Sequence, residues 1–125
     1  MEVMVKQENK VLKVIINIIK IASIITYVLL NAFLVYSTAD AIYDLLHPVE
    51  GVVQLPGLGF AIVVVIIGGI GNAAISLFSL IGLILGIINK HSATRKKNII
   101  LFLIGMLLPI LTEMILILIG LSYFN

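Results

Sequence analysis

Three long apolar stretches separated by two short polar ones set the pattern of this chain. Crossing a hydrocarbon layer of about 30 Å as a helix takes about 20 consecutive apolar residues, and each stretch is that long. The first runs from about Ile21 to Tyr43, the second from about Phe60 to Ile88 and the third from about Ile99 to Leu121. The expected fold is an all-α integral membrane protein with three transmembrane helices, forming a single membrane-embedded domain.

The polar intervals sharpen this picture. Residues 44–59 gather His47-Pro48, Gly51, Pro56-Gly57 and Gly59, a run of helix breakers that predicts a loop. Residues 89–98 predict a short basic connector. As a straight helix the second stretch would be about 43 Å long, so it is expected to tilt or bend, with Gly68, Gly69 and Gly71 as the place of flexure. Dividing it into two short spans at Gly71-Asn72 would give undersized halves and put the basic connector on the acidic side. Ahead of the first span, residues 3–20 place Lys6, Lys10, Lys13, Asn17 and Lys20 along one helical face, with Val5, Leu12, Ile15, Ile16 and Ile19 on the opposite one. This amphipathic basic segment either lies in the headgroup plane or forms the lower end of one long first helix, since no Gly or Pro marks a break.

Composition and charge then orient the molecule. Of 125 residues, 62% are hydrophobic and 11% charged, against about 45–50% and about 25% in soluble domains. A water-soluble fold could not bury so much apolar surface. All eight Lys and Arg fall between residues 6 and 20 or 90 and 97, whereas Asp40, Asp44 and Glu50 sit at the other ends of the spans. Basic residues favour the cytoplasmic side, which predicts a multi-pass cell-membrane protein with the N-terminus and residues 89–98 inside. Residues 44–59 and the C-terminus are then extracytoplasmic. Tyr36, Tyr43, Phe60, Tyr123 and Phe124 all fall at the outer boundary, where aromatic residues concentrate. Lys6, Lys10, Lys13, Lys20, Arg95, Lys96 and Lys97 are expected to meet anionic lipid headgroups. Ala39-Asp40-Ala41 resembles a small-x-small cleavage site, but the apolar run before it is too long for a signal core, so the first span reads as an uncleaved anchor.

Candidate chemistry is sparse. On the second span Gly68, Gly71, Asn72, Ser79, Gly82 and Gly86 fall in one stripe at the helical period, with Ser76 at its edge and Gly82 to Gly86 forming a G-x-x-x-G pattern. In lipid, small residues let backbones approach closely, so this stripe is expected to pack helices together. Glu113 is the one acidic residue well inside a span, and it shares a face with Gly105, Pro109 and Thr112. It is expected to point into the bundle, either as a packing residue or as a protonatable or cation-binding group, with Asn31, Asn72 or Tyr36 as neighbours. Pro109 removes the hydrogen bond to the Gly105 carbonyl. Tyr27, Asn31 and Thr38 give the first span a polar edge, with Asn31 able to bond across a helix interface.

Several function classes are disfavoured. The chain has no cysteine, which closes disulfide and thiolate chemistry. No G-x-S-x-G, Walker or H-E-x-x-H pattern is present, so no catalytic, cofactor-binding or metal residue is expected. Asp40, Asp44, His47 and Glu50 match no metal motif and read as a solvated acidic loop, and His47 and His91 fall on opposite sides of the membrane. The Arg95-Lys96-Lys97 run is explained by topology, so nucleic acid is not an expected partner. The expected function is that of a small non-enzymatic membrane protein working through helix contacts. It would be an accessory subunit of a membrane complex or an immunity-type protector against a membrane-active toxin, with self-association or a larger membrane protein as partner. The alternative is an oligomeric proton- or cation-linked carrier or pore, holin-like forms included, that uses Glu113.

Overall fold

The computed structural model describes the backbone of residues 2–48, 55–89 and 95–124, and side chains from residue 10 onward. Among the described residues the fold is all-helical, without strands, and its three helices are long and apolar enough to span a membrane. They are α1 (Glu2–Leu46), α2 (Pro56–Ile88) and α3 (Arg95–Phe124).

Helix α1 holds 45 residues with no Gly or Pro among them, so nothing interrupts it over about 67 Å. It ends at His47-Pro48, where the residue before proline is driven out of the helical region; the His47 N–H donates to the Tyr43 carbonyl at 2.9 Å and closes the last turn. The basic segment is therefore continuous with the first span and is not a separate interfacial helix. Its apolar residues explain why: Ile16 and Ile19 are buried against Phe102 of α3, with Leu12 packed alongside. Ile15 instead faces outward, while Val5 and the Lys6 side chain lie outside the described residues.

Helix α2 begins with Pro56 in its first turn, where a missing N–H costs nothing. It runs without a break through Gly71 and Asn72 to Ile88, so the division into two short spans does not occur. Its irregularity lies at Ala61–Ile67, a π-helix of seven residues, and not at Gly68, Gly69 and Gly71, which are regular α-helix. The inward positions Phe60, Val64, Gly68 and Asn72 recur every fourth residue. At 100° per residue such a row drifts by about 40° per step, and the wider π turn takes up the drift and keeps the row facing its neighbours.

Two apolar clusters hold the bundle. One joins Leu34 and Ala41 of α1, Phe60 and Val64 of α2 and Leu116 of α3; it lies at the end marked by Asp40 and Asp44, here the acidic end. The other gathers Ile16, Ile19 and Phe102 with Leu83 and Leu85, toward the basic end marked by Arg95. In each, an aromatic ring occupies the space over a glycine of the partner helix. The Phe60 ring of α2 sits against Gly120 of α3, and the Phe102 ring of α3 sits against Gly82 of α2. Of the aromatic residues expected in an outer belt, Tyr36, Tyr43 and Tyr123 are exposed, but Phe60 is buried and packs against Phe124 in a tilted arrangement with ring centroids 5.4 Å apart.

The two glycines of the G-x-x-x-G pattern are unequal. A Cβ at Gly82 would run into the Phe102 ring, which is 2% exposed, whereas one at Gly86 meets nothing nearer than 4.0 Å. Gly82→Ala is expected to lower unfolding stability in lipid by about 1–3 kcal/mol through overpacking. Gly86→Ala should stay within about 0.5 kcal/mol of wild type. Reversible unfolding in bicelles measures both, and equal effects would contradict the packing described.

Candidate functional site

Between the two apolar clusters lies a polar layer. Asn31 is fifteen residues from the acidic end of α1 and Glu113 eleven from that of α3, placing them about 22 and 16 Å deep along their helices. Asn72, on α2, lies level with them. Asn31, Asn72 and Glu113 are 6%, 1% and 7% exposed, so all three project into the bundle.

The asparagines form a reciprocal amide pair. Asn31 Nδ2 donates to Asn72 Oδ1 at 2.9 Å, and Asn72 Nδ2 donates to Asn31 Oδ1 at 3.1 Å. Each nitrogen has a second proton: that of Asn31 goes to the Tyr27 carbonyl at 2.9 Å, and that of Asn72 to Glu113 Oε2 at 3.1 Å. The amide donors are thus fully used. Asn72 touches both partners and Asn31 reaches Glu113 only through it, while Tyr36 faces outward and takes no part.

The layer extends one turn toward the basic end. Thr112 Oγ1 donates to the Leu108 carbonyl at 2.8 Å, leaving its oxygen to accept from the Tyr27 hydroxyl at 2.8 Å. Ser76 Oγ donates to the Met106 carbonyl at 2.8 Å, and Thr38 Oγ1 returns to its own helix at Leu34. Glycines make this convergence possible: a Cβ on Gly68 would stand 2.8 Å from both Glu113 Oε2 and a Leu34 methyl, and one on Gly71 would stand 2.5 Å from Leu30. Gly105 leaves room for Ser79, whose Oγ is 2.7 Å from the position a Cβ would take. Four buried polar atoms have no hydrogen-bond partner among the described residues: Ser23 Oγ, Ser79 Oγ, Asn89 Oδ1 and Glu113 Oε1.

The stripe on α2 is spent within the bundle. Gly68, Asn72, Ser79, Gly82 and Gly86 are buried and Gly71 is half-buried. Among the basic residues, Lys10, Lys13, Lys96 and Lys97 are exposed. Lys20 is half-buried at the edge of a cavity between the helices. Arg95 turns back on α2, donating from Nε and a terminal nitrogen to the Ile87 carbonyl at 3.4 and 3.2 Å, and so caps an orphan carbonyl of the last turn. At the acidic end His47 stacks on Tyr43 at 4.2 Å. Glu50 and His91 lie outside the described residues, and among those described no three His, Asp or Glu come together as a metal site.

The packing roles of Phe60 and Phe102 and the capping role of Arg95 are not visible in the sequence. The rings carry no signal apart from their spacing to glycines on another helix, and the cap depends on how the connector returns.

Three helices able to span a membrane, closed around a buried amide and carboxyl layer, define an all-helical multi-pass membrane protein. No protein family, curated protein or solved structure matches the chain.

Interhelical hydrogen bonds in membrane proteins contribute about 0.6 kcal/mol on average and up to about 2. A double-mutant cycle on Asn31→Ala and Asn72→Ala should give a coupling in that range. Asn72→Ala alone should destabilise more than Asn31→Ala because it also strips Glu113 of its donor. Additive single effects in steric-trapping measurements would show that the amide pair does not join α1 to α2.

Proposed function

We propose that this chain is a small non-enzymatic cell-membrane protein that works through helix–helix contacts. In this reading it is an accessory subunit of a larger membrane complex or an immunity-type protector against a membrane-active toxin. The observation that carries the reading is the division of surfaces. Asn31, Asn72, Ser79 and Glu113 and the glycines Gly68, Gly82 and Gly120 turn inward, while the outer faces are mainly aliphatic, as at Leu29, Val35, Ile70, Leu77, Leu107 and Leu118, with small residues such as Thr26, Ala32, Ala73 and Ala74 among them. Among the described residues, the lateral helix surface is the face open to a partner in the membrane. In lipid such surfaces associate by close packing and not by a hydrophobic driving force, which fits a subunit that recognises a membrane-embedded partner. A photo-crosslinker at Ile70 or Leu107 in native membranes should give a defined heavier product; strictly monomeric protein in membranes from the natural host would overturn this reading.

The proposal includes an orientation, supported by the segregation of charge. Arg95, Lys96 and Lys97 open α3, and Asp40 and Asp44 lie near the end of α1, so the N-terminus and the basic connector belong in the cytoplasm. A membrane-impermeant maleimide applied to intact cells should label Val52→Cys and spare Ala93→Cys. The reverse pattern would invert the topology.

A further inference from the structure

Packing accounts for one oxygen of Glu113 and leaves the other. Oε2 accepts from Asn72, while Oε1 is buried without a partner among the described residues in a side chain 93% removed from solvent. Among the described residues no countercharge is in reach. Helix α2 has no titratable residue from Pro56 to Ile88. On α1 the nearest charged groups are Lys20 and Asp40, eleven and nine residues from Asn31, or about 16 and 13 Å along the axis. On α3 the nearest is Lys97, sixteen residues from Glu113, and the Tyr27 hydroxyl is engaged with Thr112. A carboxylate here would be a buried charge with one neutral donor, which apolar surroundings do not sustain.

Space selects what neutralises it. Oε2 is wedged against Gly68, and Oε1 lies 3.9 Å from the position of a Gly69 Cβ. Each asparagine oxygen accepts one N–H in the reciprocal pair, and among the described residues no group of three His, Asp or Glu gathers around the carboxyl. A metal ion needs several oxygen ligands, whereas a proton needs neither ligands nor room. We propose that Glu113 is an intramembrane proton-binding site, with the proton carried on Oε1 while Oε2 accepts from Asn72.

The site lies between two cavities. One of about 300 Å³ opens at the acidic end, lined by Ser37, Asp40, Asp44 and Val63 among others. One of about 200 Å³ lies toward the basic end, bordered by Lys20, Ser23, Tyr27, Ser79 and Pro109, and two unpartnered hydroxyls, Ser23 Oγ and Ser79 Oγ, belong to its walls. On both α1 and α2 the amide pair falls between these linings. Along α1 and α2, Leu34 and Val64, both 0% exposed, stand between the amide pair and the first cavity, and Tyr27, bonded to Thr112, lines the second. This assignment goes beyond helix contact and holds for a subunit or a carrier alike.

Infrared difference spectra of the full chain in lipid vesicles, wild type minus Glu113→Gln at neutral pH in potassium salt, test it. The expected result is a carboxylic-acid carbonyl band without carboxylate stretches, unchanged when sodium replaces potassium. Carboxylate stretches from Glu113 would overturn the proposal, as would an acid band that gives way to carboxylate on adding sodium, since the ligand would then be a metal ion. If Glu113→Gln does not fold, ¹³C-glutamate labelling with Glu2, Glu8 and Glu50 replaced by Gln reads the same bands from Glu113 itself.

Discussion

The constraint on which the rest depends is that a polar group inside an apolar bundle must find its partner within the bundle. Asn31, Asn72 and Glu113 come from three different helices, and Asn72 is bonded to both of the others. That bond set fixes which faces of α1, α2 and α3 turn inward and at what depth they meet. Apolar contacts above and below it, around Leu34 and Val64 and around Ile16 and Phe102, are less directional. They fill space, whereas the amides specify register.

The same constraint explains the irregularity of α2. A row of inward residues at every fourth position would spiral away from its neighbours in a regular α-helix, and the π-helical stretch keeps Phe60 and Val64 in line with Gly68 and Asn72. The glycines after it stay regular because they are used for proximity: Gly68 admits the Glu113 carboxyl and Gly71 admits Leu30. Backbone irregularity and small side chains thus act at neighbouring but separate places.

Much of this was legible in the sequence because hydrocarbon imposes long-range rules. Run length alone gives the three helices, and the shared face of Gly105, Pro109, Thr112 and Glu113 anticipates a carboxyl that turns inward. Of its expected neighbours Asn31, Asn72 and Tyr36, the two amides join the layer and Tyr36 faces outward. What stayed hidden depends on helix order and rotation. The seven-residue run Ala61–Ile67 looks like any other apolar segment, and Phe60 at a span end reads as an interfacial aromatic until Gly120 is known to face it. Arg95 reads as a topology signal, yet its guanidinium holds the end of α2.

The reciprocal placement of Phe60 over Gly120 and Phe102 over Gly82 has a mechanical consequence. Each helix of the α2–α3 hairpin supplies one peg and one socket, at opposite ends, so sliding by a single turn would unseat both pegs at once. The hairpin is thereby pinned against sliding along its length, and Leu34 and Leu30 of α1, seated over Gly68 and Gly71, hold the remaining helix to the same register.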